Sequence, residues 1–234
     1  MHKRDNRIKG KGLEYLKSLI GQEIYRFKLS SLVELPSVFK KVGIIASNGF
    51  FVLDNHVSWK ENWFAMPDYI PHFVFQKVKR EENTELKTKP ITEHIDFPVN
   101  EKVTNILLIE DDAKVIRWKR VIEKIDGTEG VIFITDKNQY GFFKDSVDMM
   151  EIINVLKGDE LKTKIEPLKK HWNRFAKPFD GDCVRKLIDL KEGTTKILNK
   201  QFIEGEVYDN TIWDDPKDEE DWKKRHPEEL AKLK

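Results

Sequence analysis

Three consecutive carboxylates, Glu110-Asp111-Asp112, follow the apolar run Ile106-Leu107-Leu108-Ile109, with Lys114 close behind. Carboxylate oxygens gathered at a strand end are ligands of the kind Mg²⁺ takes. A lysine beside them can stabilise charge developing on a transferred phosphoryl group. The chemistry this points to is metal-dependent hydrolysis, with Glu110, Asp111 and Asp112 as candidate ligands. The competing reading is an acidic turn between two strands, and the sequence favours it.

The Ile-Leu-Leu-Ile-Glu-Asp-Asp string resembles the first strand of a response-regulator receiver. A receiver would continue into a helix, whereas Val115–Val121 reads as a strand. The six histidines are His2, His56, His72, His94, His171 and His226, and none shows the His-Glu-x-x-His spacing of a zinc hydrolase. His56, close to Trp59, and His72, in an aromatic stretch, are the pair that could meet across the fold. The single cysteine, Cys183, excludes a disulfide framework and a cysteine-rich zinc site. Its neighbour Asp182 disfavours the thiolate, so it reads as inert. The chain has no phosphate-cradling glycine loop and no nucleophile elbow. No cofactor is expected.

Binding chemistry is better represented. Trp59, Trp63, Phe64 and Tyr69 cluster around Pro67 and Pro71. Large aromatics are the commonest interface anchors, and prolines reduce the entropy lost on association. These four are the candidate protein-binding surface, and the competing reading makes them filler between β units. A second pattern is basic. Lys3, Arg4 and Arg7 lie in an N-terminal arm, and Arg117, Lys119 and Arg120 surround Trp118, a charge-plus-stacking pattern suited to nucleic acid. On an alternating strand the same residues also read as a solvated face. Residues 209–221 carry seven acids against Lys217, an acidic segment able to dock on a basic partner.

The elements that must position these groups are mostly strands. Ile24–Leu29, Gly43-Ile44-Ile45, Gly49-Phe50-Phe51 and Asp54 are echoed by Ile106–Ile109, Gly130-Val131-Ile132, Gly141-Phe142-Phe143 and Asp145. Both copies read as strand, connection, strand, turn, strand. Ser47-Asn48-Gly49 and Asp126-Gly127 are hairpin-turn signals. Leu13, Leu16, Leu19 and Ile20 predict a short helix over 11–20, with Gly21 as its cap. Ser146 predicts a helix to Leu156 along Val147, Met150, Ile153 and Leu156. A second helix is expected along Leu161, Ile165, Leu168, Trp172 and Phe175, kinked or restarted at Pro167. Gly181-Asp182-Cys183-Val184-Arg185, with Gly193 downstream, resembles the opening of small SH3-like barrels, although with less glycine than that pattern carries.

Composition bounds the rest. The 234 residues are 39% hydrophobic and 35% charged, enough for a real core beneath a heavily charged surface. Forty-two basic and 41 acidic residues nearly cancel, so no global field favours nucleic acid or a membrane. No apolar run reaches membrane-span length and no secretory signal opens the chain, so a cytoplasmic protein without a membrane partner is expected.

The expected architecture is α+β. Two tandem related antiparallel β units with short helices occupy 13–158, behind a basic arm at 1–12. A helical connector at 159–177, a small β-rich C-terminal module at 178–213 and a charged tail at 214–234 follow. The expected function is a non-catalytic protein-binding module of the inhibitor, immunity or accessory type. Nucleic-acid binding and metal-dependent hydrolysis are the alternatives.

Overall fold

Residues that alternate apolar and polar build most of this molecule as strands, several paired to partners far away in sequence. The structure, a computed structural model, describes residues 2–32, 39–61, 67–85, 92–117, 119–147, 150–165 and 179–204. Strand β1 (His2–Asn6) leads to helix α1 (Lys11–Ser18), then β2 (Glu23–Leu32), β3 (Phe39–Ala46), β4 (Gly49–Glu61) and β5 (Pro67–Val78). A 3₁₀ turn at Glu81–Thr84 precedes the 26-residue β6 (Thr92–Arg117), followed by β7 (Arg120–Thr135), β8 (Gln139–Val147) and β9 (Met150–Lys157). A second 3₁₀ turn (Gly158–Leu161), the single-turn helix α2 (Lys162–Ile165) and strands β10 (Phe179–Asp189) and β11 (Thr194–Ile203) complete the described elements.

The length of β6 closes the sheet. Residues 92–102 pair antiparallel with β2, and residues 103–117 pair with β7. From β7 the pairing passes to β8, β9, β3 and back to β2, with Phe39 opposite Ile153 as the β3–β9 link. A sheet that returns to its first strand buries one face and removes edges. Its interior is aromatic. The Phe27 ring centroid lies 5.0 Å from Phe142, 5.4 Å from Tyr140 and 6.1 Å from Phe133. The nearer two meet edge to face, the arrangement the ring quadrupole favours. Helix α1 packs on this core through Leu16, and Leu19 at its C-terminal cap joins it, both fully buried. Gly21 (φ 87°) takes the left-handed conformation just past its end.

The echoed segments form two three-stranded meanders, β2–β3–β4 and β6–β7–β8, with matching rows across them. Phe27, Ile44 and Phe51 stand opposite one another in the first, and Leu108, Val131 and Phe142 in the second. All six are buried.

The expected α+β fold is not what forms. The protein is mostly β, a single 11-stranded mixed sheet in which the two meanders are joined by β2–β6 pairing and do not stand as tandem units. The helix expected over 146–156 is replaced by β9. Met150–Lys157 completes a ladder with β8, and the β-branched run Ile152-Ile153 with Val155 suits a pleated surface. Described helix after Leu161 is only α2, and the remainder of that prediction, with Trp172, lies outside the described residues. Asp126-Gly127 is not a turn. It lies within β7 opposite Asp112 and Asp111, and the chain reverses instead around Lys119 (φ 64°). The segment expected as a small β-rich C-terminal module supplies β10 and β11, which extend the same sheet from β6.

Candidate functional site

Among the described residues, strand β3 pairs with β4 only from Gly49 to Asp54. Beyond that point β4 and β5 continue to pair with each other, from Asn55–Phe73 out to Glu61–Pro67. A two-stranded ribbon thus leaves the sheet. Its root is anchored, since Asn55 and Phe73 are buried. The next pair is His56 and His72, directly opposite, with ring centroids 6.0 Å apart and His56 exposed. Toward the tip, Trp59 stands opposite Tyr69 in the ladder. Trp63 and Phe64, the other two aromatic candidates, lie outside the described residues. Among the described residues β5 pairs with β4 alone. That explains how a strand accommodates Pro67 and Pro71, because an outer edge needs no N–H for a further partner.

Where the ribbon leaves the sheet, the N-terminal segment and β5 enclose an open cleft of about 380 Å³, lined by Asp5, Arg7, Lys9, Gly12, His72 and Phe75 among others. The guanidinium of Arg7 donates to both Asp5 oxygens, at 2.9 and 2.8 Å. This forked bond holds the Asp5 carboxyl well below the usual carboxylate range and raises Arg7.

The basic candidates are spread along the sheet, with Arg7 beyond Asn6, which pairs with Gly127, seven residues along β7 from Arg120. β1 lies parallel to β7, with His2 opposite Glu123, so Lys3 and Arg4 come near the β6–β7 turn that carries Arg117, Lys119 and Arg120. Several are already matched to acids. Lys3 lies 3.6 Å from Asp126, Arg4 contacts Glu123, and Arg7 reaches Asp126 at 3.7 Å in addition to Asp5. Trp118 lies outside the described residues.

The acidic candidates are divided by the pleat. Asp111 lies on the buried face of Ile109 and Ala113, opposite that of Leu108, and there Arg185 of β10 donates to both its oxygens at 2.7 Å. Glu110 and Asp112 face the other way, and Asp112 is bound by Lys186. Among the described residues no group of three His, Cys, Asp or Glu side chains is arranged to hold a metal ion. Burial pushes the Glu110 carboxyl up to about 7, with Arg7 drawing it down and Asp112 adding to the rise. Cys183 is buried, and desolvation first, then Asp111 and Asp182, push its thiol up to about 12.

Sequence reasoning missed the interior charges. Besides Asp111–Arg185, Glu129 and Lys144 form a buried pair at 2.7 Å. Glu129 is the extra residue of a β-bulge, since β6 residues 109 and 110 pair with 130 and 128. Its Oε1 lies 2.9 Å from where a Cβ on Gly127 would stand, so the glycine makes room for it. A signal was available. Asp111 is flanked two residues away by Ile109 and Ala113, and Arg185 by Cys183 and Leu187, so each charge sits on an apolar strand face.

Compared with known protein families, curated proteins and solved structures, the chain shows no match. Among the described residues no helix is long and apolar enough to cross a membrane.

Proposed function

We propose that this chain is a non-catalytic, cytoplasmic protein-binding module of the accessory, inhibitor or immunity type, and that the β4–β5 ribbon is its binding arm. The observation that carries the reading is Trp59 opposite Tyr69 on a ribbon extending past β3. Indole and phenol groups bring large contact area at low entropic cost, and two prolines stiffen the strand beside them. Because Pro67 and Pro71 interrupt the outer N–H row of β5, recognition by side chains is favoured over strand addition. The acids that would serve hydrolysis stand on opposite faces with cations bound to Asp111 and Asp112. A free, buried Cys183 accords with a reducing compartment.

The test is affinity capture from nuclease-treated lysate with three baits: wild type, Trp59→Ala/Tyr69→Ala, and Lys119→Gln/Arg120→Gln. A stoichiometric partner lost only from the aromatic double variant, with its thermal midpoint unchanged, is the expected result. Retention of the partner by that variant, or nuclease-sensitive partners lost with Lys119 and Arg120, would overturn the reading.

A further inference from the structure

We infer that His56 and His72 form a metal-binding site at the root of the ribbon, a two-imidazole chelate for a first-row transition ion such as Cu²⁺, Ni²⁺ or Zn²⁺. The two residues are direct cross-strand partners, their rings 6.0 Å apart between centroids and tilted by 51°. Directly opposed residues hold their Cβ atoms about 4.5–5.5 Å apart. A metal at about 2.0–2.1 Å from each nitrogen needs the nitrogens roughly 3 Å apart. Opposed side chains whose rings stand 6.0 Å apart place imidazole nitrogens on the scale of that spacing.

The surroundings suit a cation. Asp54 lies two residues before His56, on the same face of β4, and Lys41 is 3.8 Å from its carboxylate. On the cleft side, Asp5 engages Arg7 and Lys9 at 2.8 and 3.4 Å, so the positive groups that line the cleft with His72 already face a carboxylate. His56 is exposed, which leaves water to complete the coordination shell. The protein supplies two nitrogens, so the ion is held by a bidentate chelate and not by a closed structural cage. Imidazole donors and the general stability order place Cu²⁺ ahead of Ni²⁺ and Zn²⁺, and hard ions such as Mg²⁺ are not taken. The bound ion would staple β4 to β5, three residues from Trp59. The site is read from the two rings alone and stands whether or not the ribbon binds protein.

The experiment is calorimetric titration of the full chain with Cu²⁺ and Ni²⁺ at pH 7.5, with Cu²⁺ coordination followed by electron paramagnetic resonance. The variants are His56→Gln, His72→Gln and, as a control, His2→Gln. One ion per chain with imidazole nitrogen coupling is expected, with at least a tenfold loss of affinity in either ribbon variant and no loss in His2→Gln. Ni²⁺ should raise the thermal midpoint of the wild type and not of His56→Gln. His72 is half-buried, so His56→Gln, at an exposed position, decides the matter if His72→Gln fails to fold. Undiminished Cu²⁺ and Ni²⁺ binding by a folded His56→Gln chain, or loss of binding in His2→Gln instead, would overturn the site.

Discussion

Glu110 shows how much one side chain's setting depends on a strand far away. It is 6% exposed, and its carboxyl is raised to about 7 chiefly because burial disfavours its charged form. A folded-state value above the ordinary one means that the folded protein holds this proton more tightly than the unfolded chain. The stability so conferred is complete below about pH 4.5 and is lost as pH rises through about 7. The loss amounts to at most about 3 kcal/mol. Urea denaturation at pH 5 and pH 8 should show wild type weakening by up to that amount, while Glu110→Gln weakens less by the same margin. Equal weakening of both chains would show that Glu110 does not control this pH dependence. The triplet itself was visible in the sequence, but its division was not. Period-two alternation separates Asp111 from Glu110 and Asp112, yet the cation that pairs with Asp111 is Arg185, 74 residues away in sequence.

At the scale of elements, what the sequence revealed was local. Helix α1 and the β3–β4 turn at Ser47-Asn48 depend on residues within one or two turns, and both form where their signals stand. β9 does not. Val147, Met150, Ile153 and Leu156 fit a helical stripe, and only the β8 ladder converts the segment to strand. Asp126-Gly127 fails as a turn for the same reason, because pairing along β6 and β1 outweighs a two-residue preference. The ribbon was partly legible. Its aromatic content and the His56–His72 encounter come from composition and alternation, but its extension past β3 comes from pairing alone. The glycines of the matching meanders are a clearer element-level signal. A Cβ on Gly43 would stand 2.5 Å from Thr84 Cβ, and one on Gly130 would stand 2.6 Å from the Phe143 ring. Each glycine admits a side chain from another element. Gly130→Ala should therefore cost roughly 1–3 kcal/mol by forcing a buried ring aside. A denaturant midpoint indistinguishable from wild type would mean that Phe143 has space to move.

At the scale of the whole molecule, the two halves are joined by strand pairing and by one shared core. Phe27 of β2 packs among Phe133, Tyr140 and Phe142 of β7 and β8, and β2 pairs with β6 from Glu23 to Leu32. β9 reaches β3 through Phe39 and Ile153. A chain cut between residues 88 and 89 would keep each meander intact in sequence. The first fragment would lose the β6 partner of β2 and expose Ile24, Phe27 and Leu29. The second would lose the cover over Phe133 and Phe142. Each fragment, β1–β5 with α1 or β6–β11, would be left with an uncovered apolar face and with less buried surface to offset its chain entropy. Each fragment alone should therefore show no cooperative thermal transition, and mixing them should restore near-ultraviolet circular dichroism and a single transition. If either fragment melts cooperatively by itself, the two meanders are separable folding units, and their matching rows record independence instead of a shared core. Circular dichroism of the two purified fragments, alone and mixed, separates these cases, because only mutual dependence makes the mixture more ordered than the sum of its parts.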